Sequence, residues 1–89
     1  MNSEISQKLK DDAKIIEEMI ESFGIKVRVM EIEDMSDFNL FSIDFMRGVK
    51  FEEIESLSKT LSMSLVAPSE IEIKLIPGKK LVGIYVPKK

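Results

Sequence analysis

The chain contains neither cysteine nor histidine. Without cysteine there are no disulfides and no thiolate zinc sites, and redox chemistry says nothing of the compartment. Without histidine the usual general base and the commonest metal ligand are missing, and a Ser-His-Asp or Cys-His arrangement is impossible. No apolar run approaches the roughly 20 residues that span a bilayer, so no membrane contact is expected. The start, Met1-Asn2-Ser3-Glu4-Ile5, has neither a basic opening nor an apolar core, so no signal peptide is visible and a cytoplasmic setting is expected. A whole-surface positive field is lacking too, because the formal net charge is −3. That argues against a protein that grips nucleic acid with an entire face, while leaving room for a local basic patch.

What is present fits one globular domain over residues 1–89, with 44% hydrophobic and 33% charged residues and chain enough for a single modest core. Ile5, Leu9, Ala13, Ile16, Ile20 and Phe23 recur at spacings of three and four, with polar residues between them. This predicts a helix from about Ser3 to Phe23, capped by Ser3, favoured at its positive end by Glu4 and stopped by Gly24. From Ile25 the period becomes two: Ile25, Val27 and Val29 alternate with Lys26, Arg28 and Met30, which reads as a half-buried strand. Ile32 is out of phase, so the strand is expected to end or bulge near Met30 to Ile32. An acidic connection, Glu33-Asp34-Met35-Ser36-Asp37, leads to a second strand with Phe41, Ile43 and Phe45 on one side, and the two form an antiparallel hairpin.

Helical spacing returns with Phe51, Ile54, Leu57, Leu61 and Leu65. Glu52 and Glu53 suit the first turn, and Pro68 is expected to end the helix. Ile71, Ile73 and Leu75, then Val82, Ile84 and Val86, make two further strands. They are joined by Pro77-Gly78, which suits a type II turn. The order α-β-β-α-β-β, with one apolar stripe on each helix, predicts an α+β two-layer sandwich: one four-stranded sheet with both helices on one face.

Candidate chemistry is sparse. Gly78-Lys79 is followed by Lys80 and has Ile73 where a P-loop needs its first glycine, so no nucleotide site is expected. Glu31, Glu33, Asp34 and Asp37 lack the spacing of a calcium loop and read as a solvated acidic segment. No catalytic residue, cofactor or metal ligand is assigned. The contact candidates are Arg47, Lys50, Lys79 and Lys80, basic residues at element ends that suit phosphate or a partner, and Tyr85. Alternation turns Tyr85 outward with Met30, Leu40, Ile76, Leu81 and Gly83, an unusually apolar open sheet face suited to a partner. One aromatic there is poor material for a base-stacking platform.

The ordered set Gly48-Val49-Lys50, the helix through Ile54, Leu57, Ser58, Leu61 and Leu65, and Ile76-Pro77-Gly78-Lys79 with Val82-Gly83-Ile84 and Val86-Pro87 resembles the alpha subdomain of FtsK/SpoIIIE-type DNA translocases. Ile15-Ile16-Glu17-Glu18 followed by Phe23-Gly24-Ile25 is similar to that family's first helix and strand, so the likeness runs from about Lys8 to Pro87. The chain departs from the pattern at Asp37-Phe38-Asn39, where Gly-Pro usually precedes the second strand, and at Arg47, Tyr85 and Lys88, where Pro, Glu and Asn are usual. The resemblance implies a non-catalytic assembly and mechanical-coupling domain. Its partners would be a RecA-like motor domain, absent from this chain, and neighbouring subunits of a ring, with double-stranded DNA contacted weakly or indirectly. It also implies that the 89 residues are an excised domain or a stand-alone relative. The competing reading is a free-standing nucleic-acid-binding module with a sheet-and-helices fold, although the Gly-x-x-Gly clamp of KH domains is missing.

The helical stripe makes a direct prediction. Leu61→Ala costs roughly 2–5 kcal/mol in chemical denaturation, whereas Lys59→Ala stays within about 0.5 kcal/mol of the parent. Equal midpoints for the two variants contradict the assignment.

Overall fold

The computed structural model describes residues 6–45 and 48–88. Helix α1 spans Gln7–Glu21, and Ser6 is its N-cap, its hydroxyl accepting the Leu9 N–H at 3.3 Å. The expected roles of Ser3, Glu4 and Ile5 lie outside the described residues. At the other end Ser22 and Phe23 turn back onto Glu18 and Ile20, and Gly24 follows at φ +85°. That tight turn swings Phe23 off the apolar stripe, and it is exposed rather than buried with Ile16 and Ile20.

Strand β1 runs Val27–Asp34 and pairs antiparallel with β2, Phe38–Phe45. The register shifts between Val29 and Glu31, a bulge at Met30 that returns Ile32 to the core side opposite Phe41. Of the two expected outcomes, an end or a bulge, the bulge is found, so the strand runs on into the expected acidic connection and only Met35–Asp37 remains, closed by the Met35 N–H donating to the Phe38 carbonyl.

The expected second helix is two helices, α2 (Phe51–Glu55) and α3 (Ser58–Ser64). Around the break the Leu57 N–H bonds the Ile54 carbonyl, a tighter turn, and the Ser56 hydroxyl donates to the Glu53 carbonyl at 2.8 Å. Serines that bond local carbonyls compete with regular helix, and both Ser56 and Ser62 do so here. The apolar stripe survives the break, since Ile54, Leu57 and Leu61 are all buried. Helix α3 stops before Pro68 acts. The Ala67 N–H reaches the Ser62 carbonyl and the Val66 N–H the Met63 carbonyl, a Schellman end with Val66 at φ +52°. Ser62 then ties α3 to the next strand: its hydroxyl donates to the Ser58 carbonyl and accepts the Ile71 N–H at 2.8 Å.

Strands β3 (Glu72–Leu75) and β4 (Val82–Pro87) form the second hairpin, turned by Pro77 and by Gly78 at φ +77°. The sheet order is β1-β2-β4-β3, antiparallel throughout, so the two hairpins meet through β2 and β4. Phe41, Ile43, Ile73, Val82 and Ile84 form one buried cluster with Ile16 and Ile20 of α1, Ile54 of α2 and Leu61 of α3. The α+β two-layer architecture holds, with its helical layer in three pieces.

Val66 is a β-branched residue in the left-handed region, which costs about 1–2 kcal/mol for a side chain with Cβ. Val66→Gly relieves this and raises the urea-unfolding free energy by about 1 kcal/mol. A loss of stability contradicts the assignment of strain there.

Candidate interaction surface

Alternation and register place Arg28, Glu31 and Glu33 of β1, Phe38, Leu40, Ser42 and Asp44 of β2, Gly83 and Tyr85 of β4, and Glu72 and Lys74 of β3 on the sheet face away from the helices. The face is less open than its composition suggests. Gly83 is buried and Ser42 is only 1% exposed, although neither lies under a helix. The covering comes from the face itself. A Cβ on Gly83 would lie 2.9 Å from Tyr85, 3.1 Å from Leu40 and 3.2 Å from Ile76, so these three side chains converge on the space that glycine leaves. The Tyr85 ring also leans on Phe38, with centroids 5.3 Å apart and planes at 60°, and Lys74 Nζ sits 5.6 Å from the ring centre. Tyr85 thus serves first as the lid of a small second core, an aromatic handle left half-buried.

The basic candidates fall elsewhere. Pairing of Val27 with Phe45 and of Ile43 with Val82 puts the start of β1, the end of β2 and the β3–β4 turn at one end of the sheet. Lys50, Lys79 and Lys80 lie there, exposed, and the same end holds Lys26 and Arg28, which their strand position hid. Antiparallel topology is the signal that would have found them, since the first residues of β1 must lie beside the last of β2. Arg47 lies outside the described residues. Lys50 is also the N-cap of α2, where its N–H donates to Glu53 Oε1 at 2.8 Å; with no acceptor of its own, its side chain leaves the capping box half-made. Lys79 Nζ is 3.2 Å from Glu31 Oε1 across the sheet. Both partners are about half exposed, so the pair yields to competing charges at little cost.

The opposite end is acidic, carrying Glu33, Asp34, Asp37, Glu70 and Glu72, with Lys88 bound to Asp34. The cation end is not free of carboxylates, since Glu17, Glu18, Glu21 and Asp44 line a cavity together with Lys26 and Arg28, so a phosphate approaching there meets a mixed field. Met63 and Val66 add an apolar spot on the outer side of α3, both at least three-quarters exposed. Among the described residues no group of three or more carboxylates is placed to hold a metal ion, and no helix is long and apolar enough to cross a membrane.

Among known protein families, the model of the FtsK alpha domain matches residues 2–88. The chain belongs to the FtsK alpha domain family. It is 39% identical over 79 residues to the DNA translocase FtsK of Caldanaerobacter subterraneus subsp. tengcongensis, covering 89% of this chain and 11% of that protein. It is 36% identical to the Streptococcus pneumoniae DNA translocase FtsK, covering 89% of this chain and 10% of the relative. With the Pseudomonas aeruginosa DNA translocase FtsK the figures are 32% identity, 91% and 10%. The chain spans about a tenth of the length of these relatives.

In this FtsK alpha domain, Gly83 sets the shape of the helix-free face. Gly83→Ala crowds Tyr85, Leu40 and Ile76 together and lowers stability by about 1–2 kcal/mol, overpacking outweighing the better strand propensity of alanine. Combining it with Tyr85→Ala recovers part of the loss in a double-mutant cycle. Additive losses contradict the contact.

Proposed function

We propose that this chain is the non-catalytic assembly and mechanical-coupling domain of an FtsK/SpoIIIE-like double-stranded DNA translocase. Its partners are a RecA-like motor domain and neighbouring subunits of a ring, and ATP hydrolysis belongs to that motor domain. The observation that carries the reading is the family match over residues 2–88, together with the small share of each FtsK relative that such a segment makes up. The residues agree with it. A chain without histidine or cysteine lacks the commonest general base and any thiol nucleophile, and Gly78-Lys79 forms a hairpin turn and not a phosphate loop. A single core shared by both hairpins and all three helices suits a part that moves as one body.

Double-stranded DNA is contacted weakly in this reading. The cations at one end, Lys26, Arg28, Lys50, Lys79 and Lys80, form a small footprint on a chain of net charge −3. This footprint is also what favours the second reading, a free-standing nucleic-acid-binding module.

Titration of labelled duplex DNA and single-stranded RNA at several salt concentrations separates the two. The coupling domain alone binds duplex no more tightly than the non-specific range of about 10⁻⁴–10⁻⁶ M, with log K falling by about 0.9 per phosphate neutralised and only a few phosphates engaged. Tight RNA binding with a steep salt slope contradicts the proposal and supports the module.

A further inference from the structure

Strand β1 is an eight-residue edge of the sheet, the kind of unpaired ladder that invites a further strand. One of its free donors is already taken. Glu17, from the middle of α1, extends its carboxylate to the edge and accepts the Val29 N–H at 2.8 Å. Twelve residues separate the partners, so this is a tertiary contact and no part of the helix or the ladder. The flank of β1 around it is loosely filled. A cavity of about 380 Å³ lies beside Val27 and Arg28, another of about 340 Å³ lies beside Val29 and Ile32, and Glu17 lines both. A groove between an edge strand and a helix is where β-augmentation places an added strand, and Glu17 stands across the middle of this one.

The charge order of the edge selects the strand that fits. Among the edge's own residues cations come first, Lys26 just before β1 and Arg28 within it, and anions last, Glu31, Glu33 and Asp34, while the carboxylates of α1 and Asp44 lie beside its basic start. A strand running antiparallel to it matches when its own order is also basic first and acidic last. The β1 strand of a second copy has that order. A two-fold pairing would also set the lysine end of each molecule, with Lys79 and Lys80, beside the acidic end of the other. The pairs that now engage Glu31 and Asp34, to Lys79 and Lys88, are surface pairs that exchange partners at little cost.

We propose that Glu17 is a gate on edge strand β1: bound to the Val29 N–H it keeps the edge closed, and released it lets β1 pair antiparallel with β1 of a second copy. The gate depends on reach. An alanine removes the carboxylate, an aspartate withdraws it by one methylene while keeping the charge and the exposed helix surface, and a glutamine leaves an oxygen that still accepts. The inference does not rest on the translocase reading, because it uses only the edge and its guard.

The absence of cysteine gives a clean background for the test. Met30, at the bulge in the centre of the edge and exposed, becomes the single thiol in Met30→Cys. Under mild oxidation E17A/M30C and E17D/M30C form the covalent dimer about tenfold faster than M30C alone, since an unguarded edge pairs. E17Q/M30C and E18A/M30C stay at the M30C rate. In E17D, hydrogen exchange at the Val29 amide slows as protein concentration rises. Equal crosslinking rates for E17D/M30C and M30C, or Val29 exchange in E17D that does not depend on concentration, overturn the proposal. Circular dichroism identifies any variant that has unfolded, and E17D keeps the test open if E17A does.

Discussion

The pairing of β2 with β4 is the interaction on which the rest of this domain depends. Each half of the chain brings a helical segment and a hairpin, and neither can bury its apolar face alone. Phe41 opposite Ile84 and Ile43 opposite Val82 join the hairpins at the centre of the sheet, and all four side chains are fully buried. The helices then close over a floor already continuous across both halves, with Ile16, Ile20, Ile54 and Leu61 each completely inaccessible. An unpaired β2 or β4 would leave a row of backbone donors and acceptors without partners beneath an apolar layer. The join and the core therefore stand or fall together.

The same central strands govern the other face. Gly83 on β4 sits beside Ser42 on β2, and two small residues side by side make a hollow in the middle of the sheet. Leu40, Ile76 and Tyr85 fold into it. An apolar face that invites a partner is thereby largely satisfied from within, and what it presents outward is a half-buried tyrosine ringed by charge. The edges are managed separately: β3 has only four residues and carries Glu72 and Lys74, while β1 is bulged and guarded by Glu17. With both edges restrained, charged ends remain the most distinctive exposed features of the FtsK alpha domain described here.

Much of this was legible because alternation and helical spacing report burial directly. The stripe through Ile54, Leu57 and Leu61 and the alternation of Val82, Ile84 and Val86 each name a core face, and Ile32 out of phase announced the bulge at Met30. Periodicity does not say which strands are neighbours, so the order β1-β2-β4-β3 was not available from it. Nor does it show a break that preserves the stripe, which is why α2 and α3 read as one helix. Val66 in a left-handed conformation runs against residue preference, and Pro68 drew attention away from the Schellman turn that ends α3. In the candidate surface, turn lysines were recognisable, whereas Lys26 and Arg28 looked like ordinary outward strand residues until pairing set them at the same end. Glu17 gave no signal at all, since a glutamate on an exposed helix side shows nothing of a backbone amide twelve residues away.

The proposed coupling role requires a body that transmits displacement without coming apart at its central join. Native-state hydrogen exchange tests that most directly. If the two halves form one cooperative unit, the slowest amides of β2 and β4 exchange only through global unfolding, with a common free energy equal to that from denaturation. The same free energy should be found for the slowest amides of α1 and α3, while β3 and the ends of β1 exchange by smaller openings. Two separate plateaus, one for α1-β1-β2 and a lower one for α2-α3-β3-β4, would show that the halves open independently and would contradict the account.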